Sequence, residues 1–384
     1  MGMYMEIYIV QGEDSVDSIA LSYGIPVSEL IAVNQLSYPY PLAVGQALLI
    51  PLPQEGVREK RQIVSGGYAY PFINDKVLQA TLPYLSELYV FSYGFTDEGA
   101  LIPPTVSDEP LIYGALQMGA KPILTLTPMD SAGRFNNQLI SELVSNQQSK
   151  QRLIAELLEI LPQKGYRGVD VDFEYIQAQD RDAFTAFVAE LTASMNAAGY
   201  QVSVALAPKT SDDQPGLLYQ GKDYGGLGAA ANYALLMTYE WGYSRSEPMA
   251  VAPINKVRQV VEYAVTKIPR AKLRLGIPNY GYDWTLPYVK GETVAKSIGN
   301  QEAVGLAVAH GAQIQFDEVA QTPYFRYSEN GREHEVWFED VRSFQAKFSL
   351  LEEYGLNGAG YWQIMRLFLP NWVLLEDNFV IQKQ

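Results

Sequence analysis

Asp170, Asp172 and Glu174 stand at alternate positions in the run Gly165-Tyr-Arg-Gly-Val-Asp-Val-Asp-Phe-Glu-Tyr175, with Val169, Val171 and Phe173 between them. On an extended strand successive side chains point to opposite faces, so the carboxyls share one face and the apolar residues the other. Three crowded carboxyls do not all ionise cheaply. Repulsion raises at least one pKa and leaves a proton shared among them. A carboxylic acid still protonated near neutrality is what general acid catalysis requires. The same trio could instead ligate Mg²⁺ or Ca²⁺, or form the solvated side of an antiparallel sheet.

The flanking elements decide against the solvated face. Leu153, Ile154, Leu157, Leu158 and Leu161 repeat at helical spacing up to Gly165. A second helix opens near Asp180 and carries Phe184, Phe187, Val188, Leu191 and Met195 to Gly199. A strand between two helices belongs to a parallel sheet covered by helices. Eight such runs alternate with helical or loop material: Ile63–Tyr70, Leu88–Tyr93, Pro122–Thr127, Gly168–Glu174, Gln201–Ala207, Ala234–Tyr239, Leu273–Pro278 and Gly358–Gln363. The pattern predicts an α/β chain folded as a (β/α)₈ barrel over 63–384. That span exceeds the roughly 250 residues such a barrel needs. The excess predicts a small α+β insertion at about 286–342, between the seventh and eighth strands, with strands near Gln313–Asp317, Tyr324–Ser328 and Glu335–Phe338 and a turn at Glu329-Asn330-Gly331.

Ahead of the barrel, residues 5–52 read as a βααβ module. Its helices are expected to be capped by Asp14 and Ser28 and to end at Gly24 and Asn34. Residues 53–62, rich in Pro, Gly and charge, read as a linker.

Catalytic groups of such barrels sit at the C-terminal ends of the strands. Glu174 ends the fourth run and Met237-Thr-Tyr-Glu-Trp241 ends the sixth, with period two placing Met237, Tyr239 and Trp241 on one face. Asn279-Tyr280-Gly281 and Trp284 follow the seventh, and Tyr361-Trp362-Gln363 closes the eighth. Carboxyls and aromatic plates meeting on one rim suit a sugar ring. Trp362, Met237, Tyr280, Glu240 and Tyr70 are the expected substrate-binding residues.

Composition narrows the chemistry. A net charge of −15 excludes phosphate-backbone recognition, so no nucleic-acid partner is expected. The chain has no cysteine and only His310 and His334, which leaves no thiol catalysis and no zinc site of thiolates or histidines. No run is long and apolar enough to span a bilayer, and the start, Met1-Gly-Met-Tyr-Met-Glu, lacks the basic and apolar regions of a classical signal peptide.

Two resemblances follow from these motifs. Tyr8-Ile-Val-Gln-Gly-Glu-Asp14, Ser18-Ile-Ala20, Tyr23-Gly24, Leu30, Asn34 and Val44-Gly45-Gln46 with Leu49-Ile-Pro51 resemble the LysM domain, a glycan-binding module. Asp170-Val-Asp-Phe-Glu174, with Met237-Thr-Tyr239 and Trp362, resembles the Asp-x-Asp-x-Glu signature of glycoside hydrolase family 18. The combination is similar to the spore cortex-lytic N-acetylglucosaminidases, as are Gly67-Tyr-Ala-Tyr-Pro71, Pro248–Pro253 and Ile277–Trp284. The resemblance implies a retaining, substrate-assisted hydrolase of peptidoglycan, acting as a monomer without cofactor or metal, bound to N-acetylglucosamine-containing glycan and not to a membrane. It places the protein in the spore cortex or coat, or in the cell wall. Glu174 would be the proton donor, and Asp172 the partner of the substrate's acetamido group. Asp170 would support Asp172, Tyr239 would orient the acetamido oxygen, and Trp362 would be the floor. A chitinase-like enzyme and a non-catalytic glycan-binding coat protein are the alternatives. The chain departs from the family at Leu124-Thr-Leu-Thr-Pro128, where a Ser-x-Gly-Gly motif is common, and at Arg167-Gly168. Those departures bear on chitin specificity more than on the chemistry.

Overall fold

Two strands, β1 (Met3–Ile9) and β2 (Ala47–Pro53), pair antiparallel from Met3↔Pro53 to Ile9↔Ala47 at the start of the chain. This is a computed structural model, and it describes residues 3–54, 56 and 58–384; Met1, Gly2 and the linker residues Glu55 and Val57 lie outside the described residues. Two helices, α1 (Val16–Tyr23) and α2 (Val27–Val33), fill the connection between the strands. Ser15 caps α1, not Asp14. Asp14 is committed elsewhere, accepting from the Tyr8 hydroxyl and the Gln11 amide at 2.7 Å each. α2 starts after Pro26 instead of at Ser28, because the fixed φ of Pro26 (−64°) turns the chain earlier. Buried Asn34 then ties this helix to β2, with Nδ2 on the Leu30 and Leu49 carbonyls and Oδ1 on the Leu49 amide.

The barrel strands are β3 (Gln62–Ala69), β4 (Glu87–Phe95), β5 (Lys121–Leu126), β6 (Gly168–Val171), β7 (Gln201–Leu206), β8 (Tyr233–Leu236), β9 (Leu273–Pro278) and β10 (Gly358–Trp362). Each pairs parallel with its neighbours, and β10 pairs with β3, so the sheet closes. The predicted (β/α)₈ architecture is the observed one. Two helices flank β6: α3 (Gln147–Lys164), which buries Leu153, Ile154, Leu157 and Leu161, and α4 (Arg181–Ala197), which buries Phe184, Phe187, Val188 and Leu191. α3 stops at Gly165, whose φ of 93° lies in the left-handed region that glycine reaches without strain.

The barrel interior is not uniformly apolar. At its lower end Arg274 bonds Glu87 (Nη2–Oε1 3.2 Å) and the Tyr89 hydroxyl (2.5 Å), and lies 4.2 Å over the Tyr233 ring. Tyr89 stacks on Tyr68 with ring centres 4.6 Å apart. A satisfied polar column therefore rises from the base of the barrel toward β6.

Between β9 and β10 a five-stranded antiparallel sheet is inserted, in the order 296–298, 281–285, 332–337, 322–329, 315–317. Its hairpin turns at Asn330 and Gly331, both at positive φ, as the sequence predicts. Gly281–Thr285 pairs with both Lys296–Ile298 and Arg332–Trp337. The inserted sheet thus begins ahead of residue 286, because Tyr282 and Trp284 carry the chain straight from the barrel rim into it.

The N-terminal module does not stand off from the barrel. Gln35 donates to the Leu367 carbonyl and accepts from the Leu369 amide at 2.7 Å. The Ile314 amide donates to the Val44 carbonyl at 2.9 Å, and Arg342 donates to the Gly45 carbonyl. Leu49 joins the barrel's apolar core and Ala43 that of the insertion. The connecting segment is held as well, with Lys60 on the Glu376 carbonyl and Arg61 on Glu352 and the Leu351 and Leu356 carbonyls.

Candidate active site

The alternation in β6 sorts its side chains as the sequence predicts. Phe173 turns outward, stacked on Phe184 and Phe187 of α4 at 5.6 and 6.1 Å and tilted against Phe95 at 5.5 Å. The strand itself is shorter than expected and ends at Val171 instead of Glu174. Its last rung is the Asp172 amide on the Leu126 carbonyl at 3.0 Å. β5 ends at Leu126, so beyond that rung no ladder holds the chain; the Phe173 ring is held by packing and its carbonyl by Lys222.

Asp170 points into the barrel and is wholly buried. The Tyr68 hydroxyl donates to its Oδ2 at 2.8 Å, and Ser203 Oγ to its Oδ1 at 2.7 Å. Burial pushes its pKa up to about 6 against the pull of those two hydrogen bonds. Asp172 is raised too, by burial first and then by the charges of Asp170 and Glu174. Glu174 is raised by the protein packed around it, with the Lys222 charge opposing. All three carboxyls are therefore shifted toward the protonated form, by burial first, with repulsion within the trio acting on Asp172 alone.

Asp172 and Glu174 open into one cavity of ≈ 390 Å³, whose lining includes Tyr70, Phe91, Phe135, Asn137, Tyr175, Met237, Tyr239, Glu240 and Trp362. The volume falls in the range of small-ligand sites. Trp362 forms one wall, with Phe91 meeting it edge-on at 5.0 Å and Tyr70 at 6.2 Å. Burial and the neighbouring carboxylates keep the Tyr239 hydroxyl protonated, hence a donor. Tyr280 stands behind this lining and donates its hydroxyl to Glu240, as Tyr282 does at 2.9 Å.

Glu240 reaches the cavity through a local break in the alternation. β8 ends at Leu236, and Glu240 adopts φ 67°, a left-handed conformation rarely held by a non-glycine residue. The turn swings Glu240 in beside Met237 and Tyr239 and takes Trp241 out of the expected face. Trp241 packs against the main core instead. Trp284, also expected on the rim, is fully buried, with its indole N–H on the Ser246 carbonyl at 2.7 Å.

Tyr68, Ser203, Lys222, Phe91 and Phe135 carry site geometry that the sequence reading did not assign. Ser203 is the inward residue of a strand otherwise lined by Ala205 and Ala207, and Tyr68 precedes Tyr70 by two; period two would have indicated both. Nothing local marks Lys222. Among the described residues no three His, Cys, Asp or Glu side chains converge as metal ligands, and no single helix is long and apolar enough to cross a membrane.

Comparison with known proteins agrees with this geometry. The model described as glycosyl hydrolases family 18 matches residues 130–366, and that of the LysM domain matches residues 8–51. The cortical fragment-lytic enzyme of Bacillus subtilis (strain 168) is 38% identical, the alignment covering 99% of each chain. The crystal structure of the Bacillus megaterium QM B1551 spore cortex-lytic enzyme SleL matches with a TM-score of 0.94 at 32% identity over 100% of both chains. That of the Bacillus cereus enzyme matches at 0.93 and 31% over 99% of both. The chain therefore belongs to glycoside hydrolase family 18, with a LysM module ahead of its barrel, and is a glycoside hydrolase.

Proposed function

We propose that this hydrolase is an N-acetylglucosaminidase of spore-cortex peptidoglycan, working by retention with the substrate's N-acetyl group as nucleophile. The observation that carries the reading is the single cavity that joins Asp172, Glu174, Tyr239 and the Trp362 wall. Resemblance to cortex-lytic enzymes over the full chain supports the substrate class and a spore-associated location.

In the first step the bond from the anomeric carbon to the leaving oxygen breaks, and that oxygen takes the Glu174 proton. The acetamido oxygen bonds to the anomeric carbon from the opposite face, giving an oxazolinium ion. Asp172 accepts the acetamido N–H and offsets its growing positive charge. Asp170, fixed by Tyr68 and Ser203, supports Asp172 from below. The Tyr239 hydroxyl donates to the acetamido oxygen and aims it. Glu174, now a carboxylate, takes a proton from water as that water opens the oxazolinium, and two inversions restore the configuration. Trp362 and Tyr70 supply the apolar faces for the ring, Met237 and Glu240 complete the wall, and Tyr280 holds Glu240 from behind. The LysM module adds a second hold on N-acetylglucosamine-containing chains.

Purified protein incubated with decoated spore cortex tests this. Mass spectrometry is expected to find fragments with N-acetylglucosamine at the new reducing end. Fragments ending in muramic acid, or none at all, would refute it.

A further inference from the structure

Lys222 is wholly buried, with no exposed surface. Its Nζ donates to the Phe173 carbonyl, between Asp172 and Glu174, and to the Ala205 carbonyl at 3.3 Å, two residues beyond the Ser203 that holds Asp170. It also lies 5.4 Å over the Phe184 ring, which stacks on Phe173. Among the described residues no carboxylate approaches this ammonium within ion-pair distance. Its own backbone carbonyl is clamped by a second buried lysine, Lys209, at 2.9 Å. A buried cation without a direct partner is expensive, and an apolar side chain of equal length would fill the same space at no electrostatic cost. The charge therefore needs a reason beyond packing.

We propose that Lys222 is a positioning residue of the reaction, fixing the Asp172–Glu174 turn through the Phe173 carbonyl and supplying the positive charge that favours the carboxylate Glu174 becomes on giving up its proton. Burial presses the lysine pKa down, while Asp172 and Glu174 hold it up. The same coupling pulls on both acids in the opposite sense to burial, which still wins and leaves them raised. The other groups facing the three are Asp170, Glu240, Tyr68, Tyr70, Tyr175 and Tyr239. All four tyrosines are raised and stay neutral, so the local field is set by Asp170, Glu240 and Lys222.

This inference rests on the proposed hydrolysis, and the test separates the two. The full chain and its Lys222→Met and Lys222→Gln variants are assayed for release of reducing ends from cortex fragments across pH. If the wild type releases none, the proposed function fails. If it is active, both variants are expected to fold and to keep KM, because methionine fills the space and glutamine keeps a donor for the carbonyl. Both should lose kcat by about 10–100-fold. Both limbs of the pH profile should move up by about one unit, since Asp172 and Glu174 lose a nearby cation. Unmoved limbs in either folded variant, or glutamine restoring kcat, would overturn the role of the charge and leave a hydrogen-bonding strut.

Discussion

Asp170 has no contact with solvent, and its isolation has a thermodynamic consequence. Its pKa rises from the ordinary 3.8 to about 6 in the folded chain. Between those values the folded protein binds more protons than the unfolded one, so this group's contribution to stability is full at low pH and is lost as pH rises through about 6. The difference amounts to about 3 kcal/mol at most. Asp170→Asn keeps one acceptor oxygen, turns an amide N–H toward the other hydroxyl, and removes the titration. Denaturant unfolding is expected to show the stability of the wild type falling relative to the variant across that window, and parallel curves would contradict the assignment. That Asp170, Asp172 and Glu174 share one side of the chain was legible in the sequence, because period two is a rule of the strand itself. Tyr68 and Ser203 lay within reach of the same rule, whereas Lys222 did not, because its value lies in which loop the closed barrel sets beside β6.

At the scale of the element, β6 ends before its last carboxyl, and Phe173 takes over from the ladder. Phe173→Ala would empty the space between Phe95, Phe184 and Phe187, at a cost of about 3–5 kcal/mol. It should lower kcat more than the conservative Phe173→Leu does, because Asp172 and Glu174 flank the lost anchor. Equal activity in the two variants would mean that the turn is held otherwise. The eight strands could be read from apolar or alternating runs, since helical or loop material separates them. The turn at Glu240 could not, since a positive φ at a glutamate has no sequence mark. That turn is why Trp241 was expected in a cleft it does not reach.

For the whole molecule, the module and barrel share a seam that composition gave no hint of; a stretch rich in Pro, Gly and charge reads as a free tether until its partners are known. Gly45 lies on that seam at φ 84°, and a Cβ there would stand 1.9 Å from the Ile314 carbonyl oxygen. Gly45→Ala is therefore expected to lower the melting temperature and to make the N-terminal module more susceptible to proteolysis, with kcat on short fragments nearly unchanged. Wild-type protease resistance would show that the seam does not hold the module in solution. Such a seam fixes the LysM module relative to the barrel.

The central claim is that Glu174 holds a proton at the mouth of the barrel and gives it to the leaving sugar oxygen. The turnover number of Glu174→Gln on cortex fragments, beside the wild type, tests it most directly. A fall of about 10²–10⁴-fold with the fold intact is the predicted result. Turnover equal to that of the wild type would contradict it.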